Sequence, residues 1–171
     1  NKEAEWNIYV DPVAAEQVLR SDLALEFVGL DVTNHVRVTE AFAARFKTRA
    51  NNPAAEFWDQ VLDANDWFIE SGEYYFWDVL AALVVVDRAG YCQGDQLALT
   101  SGVRVAETPW WPTSDHSMPE LTPTGEQRRH LDAETAGVLS LREGEANVLY
   151  CRETDAEAAF REFIATLAPN S

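Results

Sequence analysis

From Tyr74 to Val86 the chain carries one charged residue, Asp78, and residues 79–86 are apolar without interruption. Read as a helix capped by that aspartate, the segment is apolar on all sides, so water can hardly reach it and an acid stands at its border. It falls well short of the roughly 20 apolar residues that span a bilayer. It must therefore be buried in a globular fold. With 171 residues, 47% of them hydrophobic, the chain is long enough to supply that fold, and six Trp and eight Phe exclude a disordered acidic segment.

The charge balance narrows the partners. Thirteen Lys and Arg against 29 Asp and Glu leave a formal net charge of −16, which repels phosphate backbones and anionic lipid over a Debye length. Nucleic acid and membrane are thus poor partners, while neutral ligands and cations stay open. Cys92 and Cys151 lack metal-ligand spacing and allow either a disulfide or two buried thiols. The compartment is open, with a secreted or periplasmic location favoured over the cytoplasm. No signal peptide is visible, and a chain beginning at Asn1 is compatible with the loss of one, or of more.

Periodicity gives alternating helices and strands. Residues 6–10 read as a β-prone strand or loop entering a helix at Asp11-Pro12, where the aspartate caps and the proline presets φ, with the helix running to about Arg20. Residues 25–30 read as a short strand and 31–36 as a polar turn. Thr39-Glu40 then opens a helix with Phe42 and Phe46 on one face. Asn52-Pro53 opens another, with Phe57, Val61 and Phe68 along one side, Trp58, Leu62 and Ile69 beside them, and an end near Ser71-Gly72.

Residues 96–100, 103–107, 138–141 and 147–151 are strand candidates, and a Pro-, Ser- and Trp-containing loop covers 109–123. Thr154 or Asp155 caps a last helix with Phe160, Phe163, Ile164 and Leu167 in one stripe. The order predicts an α/β fold with a partly parallel sheet flanked by helices, residues 1–171 forming part of a single domain that lacks its first strands.

Three local features stand together: Glu5-Trp6-Asn7 ahead of Ile8-Tyr9-Val10-Asp11-Pro12, the Leu30-Asp31-Val32-Thr33 turn, and Trp77-Asp78 at the mouth of the apolar helix. In this order and at these separations they resemble the carboxyl-terminal half of the inosine-uridine-preferring nucleoside hydrolases. The likeness extends loosely over most of the chain.

The resemblance implies a nucleoside-hydrolase-like fold completed by a second chain carrying the amino-terminal half. It also implies calcium-dependent hydrolysis of the N-glycosidic bond of ribonucleosides, giving free base and ribose. On matching positions, Glu5 and Asn7 would hold the ribose hydroxyls, since a carboxylate and a carboxamide together accept and donate. Read alone, Glu5 is a solvated residue at a strand end. Asp78 would contact substrate and ligate Ca²⁺, which takes about six to eight oxygen ligands and so needs carboxylates from elsewhere. Read alone, Asp78 is a helix N-cap.

Where many relatives place a histidine proposed to protonate the leaving base, this chain has Trp77. An indole can stack or donate a hydrogen bond but has no proton to give near neutral pH. Of the aromatics preceding it, Tyr74 or Tyr75 suits a flat wall against a nucleobase, and the rest read as core. His35, His116 and His130 share no motif; His116 alone is a candidate substitute acid.

The resemblance places the water-activating aspartate in the absent half, so no catalytic residue is assigned within this chain. Helices lacking their sheet would expose apolar faces, which predicts a partner polypeptide, produced by precursor cleavage just before Asn1 or by a separate gene. Further homo-oligomerisation is left open. The rival readings are a non-catalytic nucleoside- or sugar-binding protein on the same scaffold, or a hydrolase of a non-nucleoside, ribosyl-like substrate.

Overall fold

The computed structural model describes residues 1–109 and 127–169. In chain order the first elements are α1 (Trp6–Val10), α2 (Pro12–Leu19), β1 (Leu25–Phe27), α3 (Leu30–Thr33), α4 (Glu40–Lys47), α5 (Pro53–Ala64), α6 (Asp66–Ser71) and α7 (Trp77–Val86). They are followed by α8 (Arg88–Tyr91), β2 (Gln93–Leu97), β3 (Leu99–Ser101), β4 (Val105–Pro109), β5 (Gln127–Leu131), β6 (Leu139–Leu141), β7 (Val148–Glu153) and α9 (Ala156–Leu167). The architecture is α/β with a partly parallel, mixed sheet arrangement. The chain forms two compact units, Asn1–Leu25 with Leu97–Val148, and Glu26–Gln96 with Leu149–Ser171.

In the first unit α1 replaces the strand or loop expected over residues 6–10. No described strand pairs with this segment, so the backbone satisfies itself locally, Tyr9 N–H donating to the Glu5 carbonyl at 2.8 Å. None of its residues is buried. The Asp11-Pro12 signal holds: Asp11 Oδ1 accepts from Ala14 N–H at 2.9 Å and α2 starts at the proline.

Two polar nodes fix α2 against the strands. Glu16, 7% exposed, accepts from Ser101 N–H at 2.6 Å, the Thr100 hydroxyl at 2.9 Å and Arg20 Nε at 2.5 Å. Asn147 Nδ2 donates to the Leu19 carbonyl at 2.5 Å while its Oδ1 accepts from Leu99 N–H at 2.8 Å. β3 pairs antiparallel with β6, and β4 with β5, Val105 opposite Leu131. The sequence Gln-Arg-Arg-His-Leu of β5 has no apolar alternation, which is why periodicity does not find it.

The second unit holds a three-stranded sheet in the order β1-β7-β2 and the main core. β1 is shorter than expected because the chain turns at Gly29 into α3, whose Val32 and Thr33 are buried; the expected polar turn is thus one turn of helix with a buried side. Thr39 caps α4 through Phe42 N–H at 3.1 Å, and Phe42 and Phe46 are buried as expected. The long helix expected after Asn52 breaks at Asn65, whose Nδ2 turns back to the Val61 carbonyl at 2.7 Å. Its buried side is the Leu62 and Ile69 stripe, while Phe57 is 66% exposed.

α7 departs from expectation in two ways. Phe76, not Asp78, occupies its N-cap position, and Asp78 lies in the first turn with its side chain exposed. The helix is also less enclosed than its composition implies, Val85 being 86% and Val86 83% exposed. At the far end Asp155 caps α9 through Ala158 N–H at 3.0 Å. Cys92 and Cys151, both buried, form a disulfide between the end of α8 and β7, with Cα atoms 5.3 Å apart.

Burial pushes the Glu16 carboxyl up, but the Ser101, Thr100 and Arg20 donors outweigh it and hold the group below the usual glutamate range. A depressed folded-state pKa contributes stability above the unfolded-state value that is lost as pH falls through the folded one. Glu16→Gln is expected to cost about 1–3 kcal/mol at neutral pH and to flatten the decline in stability under acid, as read by urea melts across pH 3–7. The double variant Cys92→Ser/Cys151→Ser is expected to lose about 2–4 kcal/mol in the same melts under non-reducing conditions.

Candidate functional site

The Glu5-Trp6-Asn7 segment is fixed from its flanks. Asn1 Nδ2 donates to the carbonyls of Ala133 and Ala136 at 3.1 and 2.9 Å, while its Oδ1 accepts from Ala4 N–H at 2.9 Å. Gly137, with φ of +72°, packs so closely on α1 that a Cβ there would lie 2.9 Å from the Tyr9 Cα. The start of the chain is thereby seated on the turn before β6. Glu5 is half-buried at the N-cap position of α1, and Asn7, two residues further on, is exposed. Both carry polar groups on a short, tethered helix start, an arrangement that can offer an acceptor and a donor to a hydroxylated ligand.

Tyr75, Trp77 and Asp78 belong to the second unit, and their placement follows from a short backbone splice. Val38 N–H donates to the Tyr74 carbonyl at 2.8 Å, Phe76 N–H donates to the Val36 carbonyl at 2.9 Å, and Arg37 and Tyr75 form an antiparallel bridge. Val36, Val38 and Phe76 are all buried. The approach to α7 is therefore pinned by hydrogen bonds and by core packing together. Upstream, Gly72 ends α6 with φ of +81°, and the Arg37 guanidinium fills the space where a Cβ would stand.

An aromatic row leads into the site. Trp67 stacks on Phe68 at 5.1 Å between ring centroids, Phe68 on Tyr74 at 5.3 Å, and Trp77 lies 6.1 Å from Tyr74 and 5.7 Å from Tyr75. Tyr74, Tyr75 and Trp77 are each half-buried, so ring faces and edges reach solvent. Burial pushes the Tyr74 hydroxyl above its ordinary range, further favouring the neutral phenol. Asp78 follows at the end of this row, in the first turn of α7, where the helix dipole favours a negative charge. In the adjoining turn Asp31 accepts from the Tyr150 hydroxyl at 3.0 Å.

Among the described residues no group of three or more His, Cys, Asp and Glu side chains converges as a metal site. Asp78 by itself supplies one carboxylate and does not fit a complete calcium centre. His35 is exposed, and His116 lies outside the described residues. Glu5 and Asn7 fall in one unit and Tyr75, Trp77 and Asp78 in the other. Sequence reasoning nominates these residues through the resemblance, but it misses the Val36–Val38 splice and the row in which Trp67, Phe68 and Tyr74 stack and Trp77 lies tilted against Tyr74 and Tyr75, which only tertiary contacts reveal.

A search of the curated proteins finds relatives over part of the chain. The pyrimidine-specific ribonucleoside hydrolase RihA of Klebsiella pneumoniae subsp. pneumoniae is 42% identical over 60 residues, 35% of this chain and 19% of that protein. The protein of the same name from Salmonella schwarzengrund is 37% identical over 79 residues, 46% of this chain and 24% of that one. Among solved structures, the inosine-uridine preferring nucleoside hydrolase from Bacillus anthracis matches with a TM-score of 0.61 at 18% identity, over 99% of this chain and 46% of that one. The purine-preferring ribonucleoside hydrolase from Gardnerella vaginalis matches with a TM-score of 0.63 at 22% identity, over 99% of this chain and 48% of that one. The chain thus spans about half the length of the solved structures whose fold it shares. The family model of the inosine-uridine preferring nucleoside hydrolases matches residues 1–161, and the chain belongs to that family.

Proposed function

We propose that this chain is the carboxyl-terminal half of a hydrolase that cleaves the N-glycosidic bond of ribonucleosides to free base and ribose, acting with a polypeptide that carries the amino-terminal half. The observation that carries the reading is the aromatic row ending at Trp77 and Asp78, a surface for a flat base beside a carboxylate, in a chain of this family. The partner is supported by the share of the solved structures that this chain leaves unmatched.

In this reading Glu5 and Asn7 bind the ribose hydroxyls, Tyr75 and Trp77 stack against the base, and Asp78 contributes one ligand to a Ca²⁺ ion. As the glycosidic bond breaks, positive charge builds on the sugar in an oxocarbenium-like transition state. Fixed carboxylates and hydroxyl contacts that tighten as the ring flattens stabilise that charge. Asp78 is the one carboxylate of this chain assigned to the ion, and the remaining oxygen ligands would come from outside it. The water-activating aspartate is assigned to the other half. The Cys92–Cys151 disulfide supports a secreted or periplasmic location, where such bonds persist.

Trp77 favours one second reading. Its indole cannot protonate a departing base, so the same scaffold would serve as a non-catalytic nucleoside- or sugar-binding protein. Hydrolysis of a ribosyl-like substrate whose leaving group needs no acid is the remaining variant.

The test is release of free base and ribose from purine and pyrimidine nucleosides by the paired chains, with and without a calcium chelator. Turnover in calcium that stops on chelation is expected; saturable quenching of tryptophan fluorescence without turnover selects the binding protein. Glu5→Gln and Asn7→Ala are each expected to lower kcat/KM about 10- to 100-fold, the loss of one charged or buried hydrogen bond to substrate. Asp78→Ala is expected to abolish calcium-dependent turnover, and unchanged activity would refute its assignment as a ligand. Among substrates graded by leaving-group pKa, a steep preference for good leaving groups is expected, because Trp77 supplies no acid.

A further inference from the structure

The chain is strongly acidic, with 13 Lys and Arg against 29 Asp and Glu, yet three of its arginines line one pocket of the second unit. Arg45 and Arg49 stand four residues apart at the end of α4. Arg49 N–H donates to the Phe46 carbonyl at 2.9 Å, which carries the helical turn past Lys47 and keeps both arginines on one face. On α9, Arg161, Ile164, Ala165 and Ala168 follow at spacings of three, one and three, again one face. Together with Pro169 these residues line a space of about 420 Å³. The buried Ile164 and Ala168 make part of it apolar, and the short alanine side chains leave it open. Among the described residues no aspartate or glutamate lines it.

Arg45 and Arg161 are held in place without being neutralised. Arg45 lies over the Phe42 ring, 5.9 Å from its centroid, and its Nη1 donates to Glu157 at 3.0 Å. That pair is exposed, its side chains at 40% and 60%, so solvent screens it and it contributes little. Arg45 Nε is shut off from water and has no hydrogen-bond partner among the described residues. Arg161 Nη2 stands 4.0 Å from Asp155 Oδ2, beyond hydrogen-bond distance. The dipole of α4 favours a cation in its last turn and accounts for Arg45. It does not account for Arg161, which stands mid-way along α9 and lines the same pocket.

We propose that the pocket of Arg45, Arg49 and Arg161 binds a small organic phosphate, its anionic head on the guanidinium groups and its organic part against Ile164, Ala165 and Ala168. The space falls within the range of about 300–1,000 Å³ that small-molecule sites occupy. Planar guanidinium forks match phosphate oxygens two at a time. A phosphate monoester carries a charge of about −1.5 to −2 near neutral pH and so balances several arginines better than a carboxylate does. The net charge of −16 repels anions in proportion to their own charge, which bars polyanions far more than a single phosphate group. The pocket shares no residue with the aromatic row or with Glu5 and Asn7, and it stands whether or not the assembled protein cleaves nucleosides.

The experiment takes the protein as isolated, with any chain that accompanies it, and titrates it calorimetrically with inorganic phosphate, phenyl phosphate and benzoate. Saturable binding is expected, with phenyl phosphate about tenfold tighter than inorganic phosphate because its ring covers the apolar residues. Benzoate, with the same ring and less charge, should bind about tenfold more weakly than phenyl phosphate. Arg45→Gln and Arg161→Gln should each weaken phenyl phosphate about 10- to 100-fold, the loss of one charge-assisted hydrogen bond. Lys47→Gln removes the same charge from α4 outside the pocket and should change the affinity by less than about twofold. Should Arg45→Gln misfold, Arg161→Gln decides, since that side chain is 66% exposed. Trp77→Ala should bind phenyl phosphate as the unsubstituted protein does; loss of binding there would move the ligand to the aromatic row and overturn the pocket. Heat that never saturates would overturn it too, as would arginine variants that bind normally or a Lys47→Gln loss equal to theirs. Benzoate as tight as phenyl phosphate would defeat the assignment to a phosphate.

Discussion

Phe42 is the point on which the second unit is assembled. Its ring lies 4.6 Å from Phe160, 5.2 Å from Phe76, 6.2 Å from Phe163 and 6.3 Å from Phe46, so α4, α9 and the residue that opens α7 meet at one side chain. Phe76 also packs on Phe160 and Phe163, at 5.2 and 4.9 Å. Aromatic pairs of this kind contribute about 0.5–1.5 kcal/mol each beyond the area they bury. Trp77 is the next residue in the chain. The core is thus covalently continuous with the aromatic row, and the direction in which Trp77 and Asp78 face is decided by packing two residues deep.

Much of this was legible in the sequence because its determinants are local. Asp11-Pro12, Thr39, Asn52-Pro53 and Asp155 all cap or open helices as their chemistry requires. Where the reading failed, a non-local term decided. Residues 6–10 are β-prone, but an extended segment needs a neighbouring strand for its backbone groups, and without one the helical turn is the self-sufficient choice. The break at Asn65 was equally hidden: periodicity continues through it, and a side-chain amide bonding back to Val61 ends one helix and starts the next. Asp78 looked like a cap because aspartate favours that role, yet the splice to Val36 places Phe76 at the N-cap position instead.

The candidate site was legible to a different degree. Order along the chain nominates Glu5, Asn7, Trp77 and Asp78, with Tyr74 or Tyr75 beside them, because family resemblance is written in linear spacing. What the spacing does not contain is support: the Asn1 side chain holding the turn before β6, Gly137 admitting α1, and Arg37 lying in the space left by Gly72. These residues touch nothing reactive in the sequence reading, and no motif marks them. They are nonetheless what turns two short polar segments into fixed ones.

The disulfide has a topological consequence. The chain leaves the second unit after Gln96 and returns to it at Leu149, and Cys92 and Cys151 sit just outside those two crossing points. The whole excursion is therefore a closed covalent ring. A single backbone scission anywhere inside it frees no fragment: the severed pieces migrate together on a denaturing gel until a thiol reagent opens the bridge, and an unreduced band says nothing about continuity of the peptide chain there.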